Sequence, residues 1–154
     1  MFSHGLNTDK QMLEIDDSET PKLLHQETTS KIIGAAFEVH AQLGYGFLER
    51  VYQRALQVEL LRRGAIAELE KRIQVQYKGV IVGDYDVDLL VDGCVVVEIK
   101  VAPQYQKRDE AQLLNELRAT GLKVGMLVNF GRTKGVQAFD LLNRIRVSSV
   151  FICG

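Results

Sequence analysis

The chain has 154 residues, 46% of them hydrophobic and 25% charged, with a net charge of −1; this is the size of one domain and the composition of a globular protein, which excludes fibrous and disordered classes. No apolar run reaches the roughly 20 residues of a membrane span, and the N-terminus MFSHGLNTDKQMLEIDD lacks a signal-peptide pattern, so a cytoplasmic protein without a membrane partner is expected. Cys94 and Cys153 make no metal spacing and no disulfide framework, and read as buried or terminal thiols.

Residues 1–27 hold two basic and six acidic side chains and no sustained periodicity. They read as an acidic, partly flexible extension, with at most a short helix near Thr20 to Gln26, ahead of a single domain over residues 28–154. From a cap at Thr29 or Ser30, Ile32, Ile33, Ala36, Phe37, Val39, His40 and Leu43 follow helical spacing up to Gly44. A second helix is predicted from about Phe47 to Arg63 with Gly64 as its C′ residue. Its apolar arc is Leu48, Val51, Tyr52 and Ala55, and its wet side is Arg50, Gln53, Arg54 and Gln57. The period then changes to two. Ile73, Val75 and Tyr77 mark a strand, and VIVGDYDVDLLV and CVVVEIKV flank Asp92-Gly93, the strongest short hairpin signal in the chain. A third helix is predicted over Lys107 to Thr120, capped by Gly121, with Ala111, Leu113, Leu114 and Leu117 on its core side. The apolar strand KVGMLVNFG follows, and the last twenty residues fit either helix then strand or two strands. The order ααβββαβ predicts an α/β fold with a mixed central sheet flanked by helices, the plan of a restriction-endonuclease-like core.

Chemistry concentrates in Glu98-Ile99-Lys100. On a strand, positions i and i+2 share a face, so the carboxylate and the ammonium lie side by side while Ile99 points into the core. Alone the triplet is weak, expected by chance in about half of chains this long, and a surface ion pair explains it equally. Val95, Val96 and Val97 before it mark a buried strand, however, and Asp88 sits in the equally apolar VDLLV. Buried carboxylates want a partner or a cation, and Mg²⁺ (or Mn²⁺) takes one or two carboxylates together with water and phosphate oxygens. A strict two-residue turn at Asp92-Gly93 would pair Asp88 with Val97 and place Asp88 and Glu98 on opposite faces. The site requires a three-residue loop, Asp92 to Cys94, or a bulge. Glu49 flanks the apolar arc of the second helix, about 20° from Leu56 and Leu60, where it could serve the site or simply favour the helix dipole. Gln112 could contact phosphate or Lys100, or be the polar edge of its helix. His40 reads as a core or interface histidine, His4 and His25 make no cluster, and Gly44-Tyr45-Gly46 reads as a helix-to-helix turn. Nine basic residues against four acidic ones over residues 100–146, among them Lys107, Arg108, Arg118, Lys123, Arg132 and Lys134, suit a phosphate backbone, although a mixed solvated surface explains them too.

Gly46-Phe47-Leu48-Glu49-Arg50-Val51-Tyr52, followed by YKGVIVGDYDVDLLVDGCVVVEIK and EAQLLNELRATGLKVGMLVNFG, resembles the bacterial GxxExxY proteins, a branch of the PD-(D/E)xK nuclease superfamily, over roughly residues 30 to 131. The resemblance implies that Glu49, Asp88, Glu98, Lys100 and Gln112 match the helix Glu, the strand Asp, the E-x-K pair and the following-helix Gln of that superfamily. Asp86 and Asp109 depart from it, standing where a basic residue and a histidine are frequent. The expectation is Mg²⁺-assisted hydrolysis of DNA or RNA phosphodiesters. Asp88, Glu98 and the Ile99 carbonyl would hold the metal, Lys100 would orient or deprotonate the water, Glu49 would support it, and Gln112 would fix Lys100 or the phosphate. The alternative is a catalytically silent nucleic-acid- or protein-binding module on the same fold. A homo-oligomer is compatible with the sequence and not demanded by it.

Overall fold

The computed structural model describes residues 23–132, 135–142 and 145–150. It contains helices α1 (Gln26–Leu43), α2 (Glu49–Arg62) and α3 (Lys107–Thr120), and strands β1 (Ala67–Tyr77), β2 (Val80–Val91), β3 (Val95–Lys100), β4 (Val124–Asn129), β5 (Gly135–Asp140) and β6 (Ile145–Val150). The stretch that periodicity left open is thus two strands. They form one six-stranded sheet in sequence order, in which β3 and β4 run parallel, joined through α3, and every other neighbouring pair runs antiparallel. This mixed sheet between helices is the restriction-endonuclease-like α/β plan the sequence predicts.

None of the three helices has a side-chain N-cap hydrogen bond, so packing and C-terminal glycines define them. α1 starts earlier than Thr29, at Gln26 behind a left-handed His25, and the Thr29 hydroxyl donates back to the Gln26 carbonyl at 3.1 Å. α2 ends in a Schellman motif: Gly64, with φ +81°, donates to Leu61 O, and Ala65 donates to Leu60 O. α3 has the predicted limits and stops at Gly121 in the left-handed region. Among the described residues no helix is long and apolar enough to cross a membrane.

α1 and α2 cover one face of the sheet, where Ile32, Ala36, Tyr52, Leu56 and Leu60 meet Val95, Val97, Ile99, Met126 and Val128. α3 covers the other, with Leu113 and Leu117 against Val96, Leu127, Val87 and Ile73. Each fully buried large side chain in these layers contributes about 2 kcal/mol. Strand β3 is buried on both faces, which explains its run of valines. The face assigned to α2 from its periodicity is rotated. Leu48 is 80% exposed and Val51 39%, whereas Gln53 is buried and Gln57 half-buried. Both glutamine amides find backbone acceptors on the sheet: Gln53 donates to Asp88 O at 2.9 Å and Gln57 to Ala67 O at 3.0 Å.

Candidate functional site

The hairpin between β2 and β3 decides whether a site exists. Asp92 and Gly93 both adopt positive φ, 51° and 66°, and Cys94 N–H closes the turn on Val91 O. The ladder nevertheless starts at Val91↔Val95 and continues Leu90↔Val96 and Leu89↔Val97. Cys94 is therefore an extra residue, and the loop has the three residues that set Asp88 opposite Glu98. The Asp92 carboxylate fixes this loop by accepting hydrogen bonds from Thr28 Oγ1 and from Ile66 N–H.

At Asp88 the regular pleat ends. Leu89 and Val91 pack under α1 and α2, yet Val87 and Tyr85, of the same parity, pack under α3. Opposite this step, Glu70 of β1 has φ +50° and no partner in the register. Side chains replace the ladder here. Asp88 N–H points at Glu98 Oε1 (3.4 Å), Asp88 O accepts the Gln53 amide, and Ile99 N–H donates to Asp88 Oδ2 at 2.7 Å. Each carboxylate is thus tied to the backbone of the opposite strand.

Glu98 is only 5% exposed. Burial first, then the carboxylates of Asp88 and Glu116, push its carboxyl up to about 10. Among the described residues no cation accompanies this group as the Lys100 ammonium accompanies Asp109: Nζ lies 3.9 Å from Asp109 Oδ1. Glu49, the first residue of α2, is half-buried on the same side. Its carboxyl is raised by burial and then by Asp88, drawn back by Lys100, and raised further by Asp109. Glu49, Asp88, Glu98 and Lys100 therefore converge. The Gln112 amide donates to Glu116 Oε1 at 3.0 Å. Ile99 is fully buried beneath the site.

The spacing Gly46-x-x-Glu49-x-x-Tyr52 has a local physical account. Gly46 has φ +116°, a region that favours glycine, and turns the chain from α1 into α2. Tyr52, one turn beyond Glu49, stacks on Phe130 with centroids 4.6 Å apart. Its hydroxyl donates to Gly44 O at 2.7 Å and accepts from Phe47 N–H. The turn and the helix start are thereby pinned to the end of β4, and Glu49 is carried to the acidic centre.

Three further residues belong to this picture. Glu116 is 1% exposed and Oε2 has no hydrogen-bond partner. On the wheel it lies about 60° from Leu113 and about 100° from Leu117, a signal its charge obscured. Gln53, about 20° from Leu60, was equally legible as a buried position. Asp109 needed the fold to reach Lys100. Asp86 is exposed and paired with Arg72 at 3.1 Å, so its charge is answered away from Asp88. His40 is buried in α1, Cys94 is half-buried in the hairpin loop, and Cys153 and His4 lie outside the described residues.

Among the described residues no three His, Cys, Asp or Glu side chains are already gathered as a metal cage. The donor set still fits Mg²⁺ or Mn²⁺, which use few carboxylates and complete their shells with carbonyls, water and phosphate. The observation that supports the fit is the crowding of buried carboxyls with no cation beside them among the described residues: Glu98, whose carboxyl is pushed up to about 10, and Glu116, whose Oε2 has no hydrogen-bond partner. Residues 26–140 match a family model described as the PD-(D/E)XK nuclease superfamily. No curated protein matches the chain.

Proposed function

The chain belongs to the PD-(D/E)XK nuclease superfamily, and from that premise we propose that it is a divalent-cation-dependent nuclease that hydrolyses phosphodiester bonds of DNA or RNA, in the GxxExxY branch. The observation that carries this reading is the three-residue loop Asp92 to Cys94, which sets Asp88 against Glu98 beside Lys100. Asp88 and Glu98, with the carbonyl of Ile99, would hold Mg²⁺ or Mn²⁺. Once bound, the cation supplies Lewis acidity to the scissile phosphate and to the attacking water. Glu49, whose carboxyl holds protons more tightly than usual, is placed to take the proton of that water. The Lys100 ammonium, oriented by Asp109, faces the charge that grows on the phosphate. Gln112 supports Glu116 and lines the groove through which a strand would approach. Exposed Lys107 and Arg108 at the start of α3 supply backbone-phosphate contacts next to the centre.

Cleavage of labelled single- and double-stranded DNA and RNA in Mg²⁺ and Mn²⁺ tests this. Lys100→Met is expected to lower turnover about 100-fold with the fold intact. Undiminished cleavage by that variant would assign the activity to something else. One observation favours a second reading, a catalytically silent binding module: Asp88 and Glu98 already bond the amides of Ile99 and Asp88, as a polar core needs no cation to do. Tight nucleic-acid binding without turnover in either metal would select it.

A further inference from the structure

Glu116 is the one described buried side chain with an unpartnered polar atom. It sits in the middle of α3 at 1% exposure, where an ionised carboxylate without a counter-charge is strongly disfavoured. Its Oε1 accepts the Gln112 amide at 3.0 Å, which orients the group along the helix and leaves Oε2 with no donor. The close seating of α3 brings it inward. A Cβ on Gly125 of β4 would lie 2.8 Å from Leu113 Cδ1 and 3.0 Å from Leu117 Cδ1, so the absence of a side chain there lets the helix settle on the sheet. Glu116, between those leucines in sequence, reaches the carboxyl of Glu98. Ionised, both groups are acceptors only, and neither can satisfy the other. A groove of about 510 Å³ lined by Tyr85, Arg108, Ala111, Gln112, Asn115 and Glu116 runs along this side of α3.

We propose that Glu116 is a third carboxylate of the divalent-cation site, completing with Asp88 and Glu98 a donor set that the E-x-K motif alone does not contain. The proposal rests on the nuclease reading of the same site. It assigns the orphaned Oε2 a ligand that is positively charged, oxygen-seeking and small enough to enter beside Gln112, which describes Mg²⁺ or Mn²⁺ and not an organic cation. A purely structural role, in which Glu116 and Glu98 share one proton as a neutral pair, makes the opposite claim about metal affinity.

Calorimetric titration of Mn²⁺ into the full chain separates these. Glu116→Gln keeps the shape and gives Glu98 an amide donor, so the metal-free variant is expected to melt no lower than the unsubstituted protein. Its Mn²⁺ affinity is expected to fall at least tenfold, roughly the effect of losing a group that supports a metal site. Affinity within twofold of the unsubstituted protein overturns the proposal. If Glu116→Gln does not fold, carboxyl ¹³C NMR of the unsubstituted chain during Mg²⁺ titration decides: Glu98 and Glu116 shift together with one midpoint, and a Glu98 shift with Glu116 unmoved overturns it. Binding retained by Glu116→Gln but lost by Asp88→Asn would remove Glu116 and leave the nuclease site standing. Absence of binding by the unsubstituted chain would defeat both.

Discussion

Glu98→Gln is expected to stabilise the metal-free protein at pH 7 while abolishing both its response to divalent cations and its cleavage of nucleic acid. In the folded chain the Glu98 carboxyl is pushed up to about 10 from an ordinary 4.5, chiefly by burial and then by Asp88 and Glu116. A group whose folded value is raised contributes stability below its unfolded value and loses it as pH rises towards the folded one. The metal-free protein should therefore weaken as pH rises from about 4.5 towards about 10. The amide that replaces the carboxyl in Glu98→Gln does not titrate, and it donates to the neighbouring carboxylates. Thermal melts in chelator across this range should show a flatter profile for the variant and a rise in Tm of about 5 °C at pH 7. Added Mn²⁺ should raise the Tm of the unsubstituted protein and not that of Glu98→Gln. Equal pH profiles for the two proteins would show that Glu98 is not the strained group.

Gly131→Ala is expected to be the most damaging single methyl in the chain. A Cβ at this position would sit 2.1 Å from Ala102 O and 2.8 Å from Ala102 C, both backbone atoms that no rotamer change can move. The collision strikes the crossing where the end of β4 ties down the chain leaving β3. Phe130 N–H donates to Lys100 O, the Asn129 amide to Ala102 O, and Gly131 N–H to Asn129 Oδ1. Separating these segments breaks those bonds and loosens Phe130 under Tyr52, at a cost of about 3 kcal/mol or more. For a chain of this size that is about 10 °C in Tm, with Lys100 displaced as well. Urea unfolding measures it. A loss below about 1 kcal/mol would mean that the segment around Ala102 yields without breaking the clamp.

The parts of this fold governed by local rules were legible in the residues. Lys107 to Thr120 and its stop at Gly121, the Gly64 terminus of α2, and the buried valines of β3 each follow from periodicity or a left-handed glycine, and all lie where expected. What escaped depends on partners far along the chain. The face of α2 was misassigned because Gln53 and Gln57 were placed by their polarity, and the carbonyls of Asp88 and Ala67 that accept their amides lie far along the chain. The hairpin register stayed open because Asp92-Gly93 reads as a two-residue turn. Thr28 and Ile66, which grip the Asp92 carboxylate, are distant in sequence. Glu116 looks like one acid on an amphipathic helix until the missing side chain of Gly125 lets α3 press it onto β3.

The same dependence bears on the site. The motif Glu98-Ile99-Lys100 names the strand, but α2 and α3 add further acidic groups to the centre. Glu49, Asp109 and Glu116 surround it, and the basic residues counted in the sequence remain on the outer surface at Lys107, Arg108 and Arg132. Such an arrangement repels a phosphate until a cation intervenes, so metal loading should precede productive substrate binding.

The position of the cation is the most direct test. In crystals of the unsubstituted protein grown with millimolar Mn²⁺, the anomalous map should show a peak bounded by the carboxylates of Asp88 and Glu98. A well-ordered Asp88–Glu98 pair with no peak beside it, or with Mn²⁺ bound only elsewhere on the chain, would contradict the account.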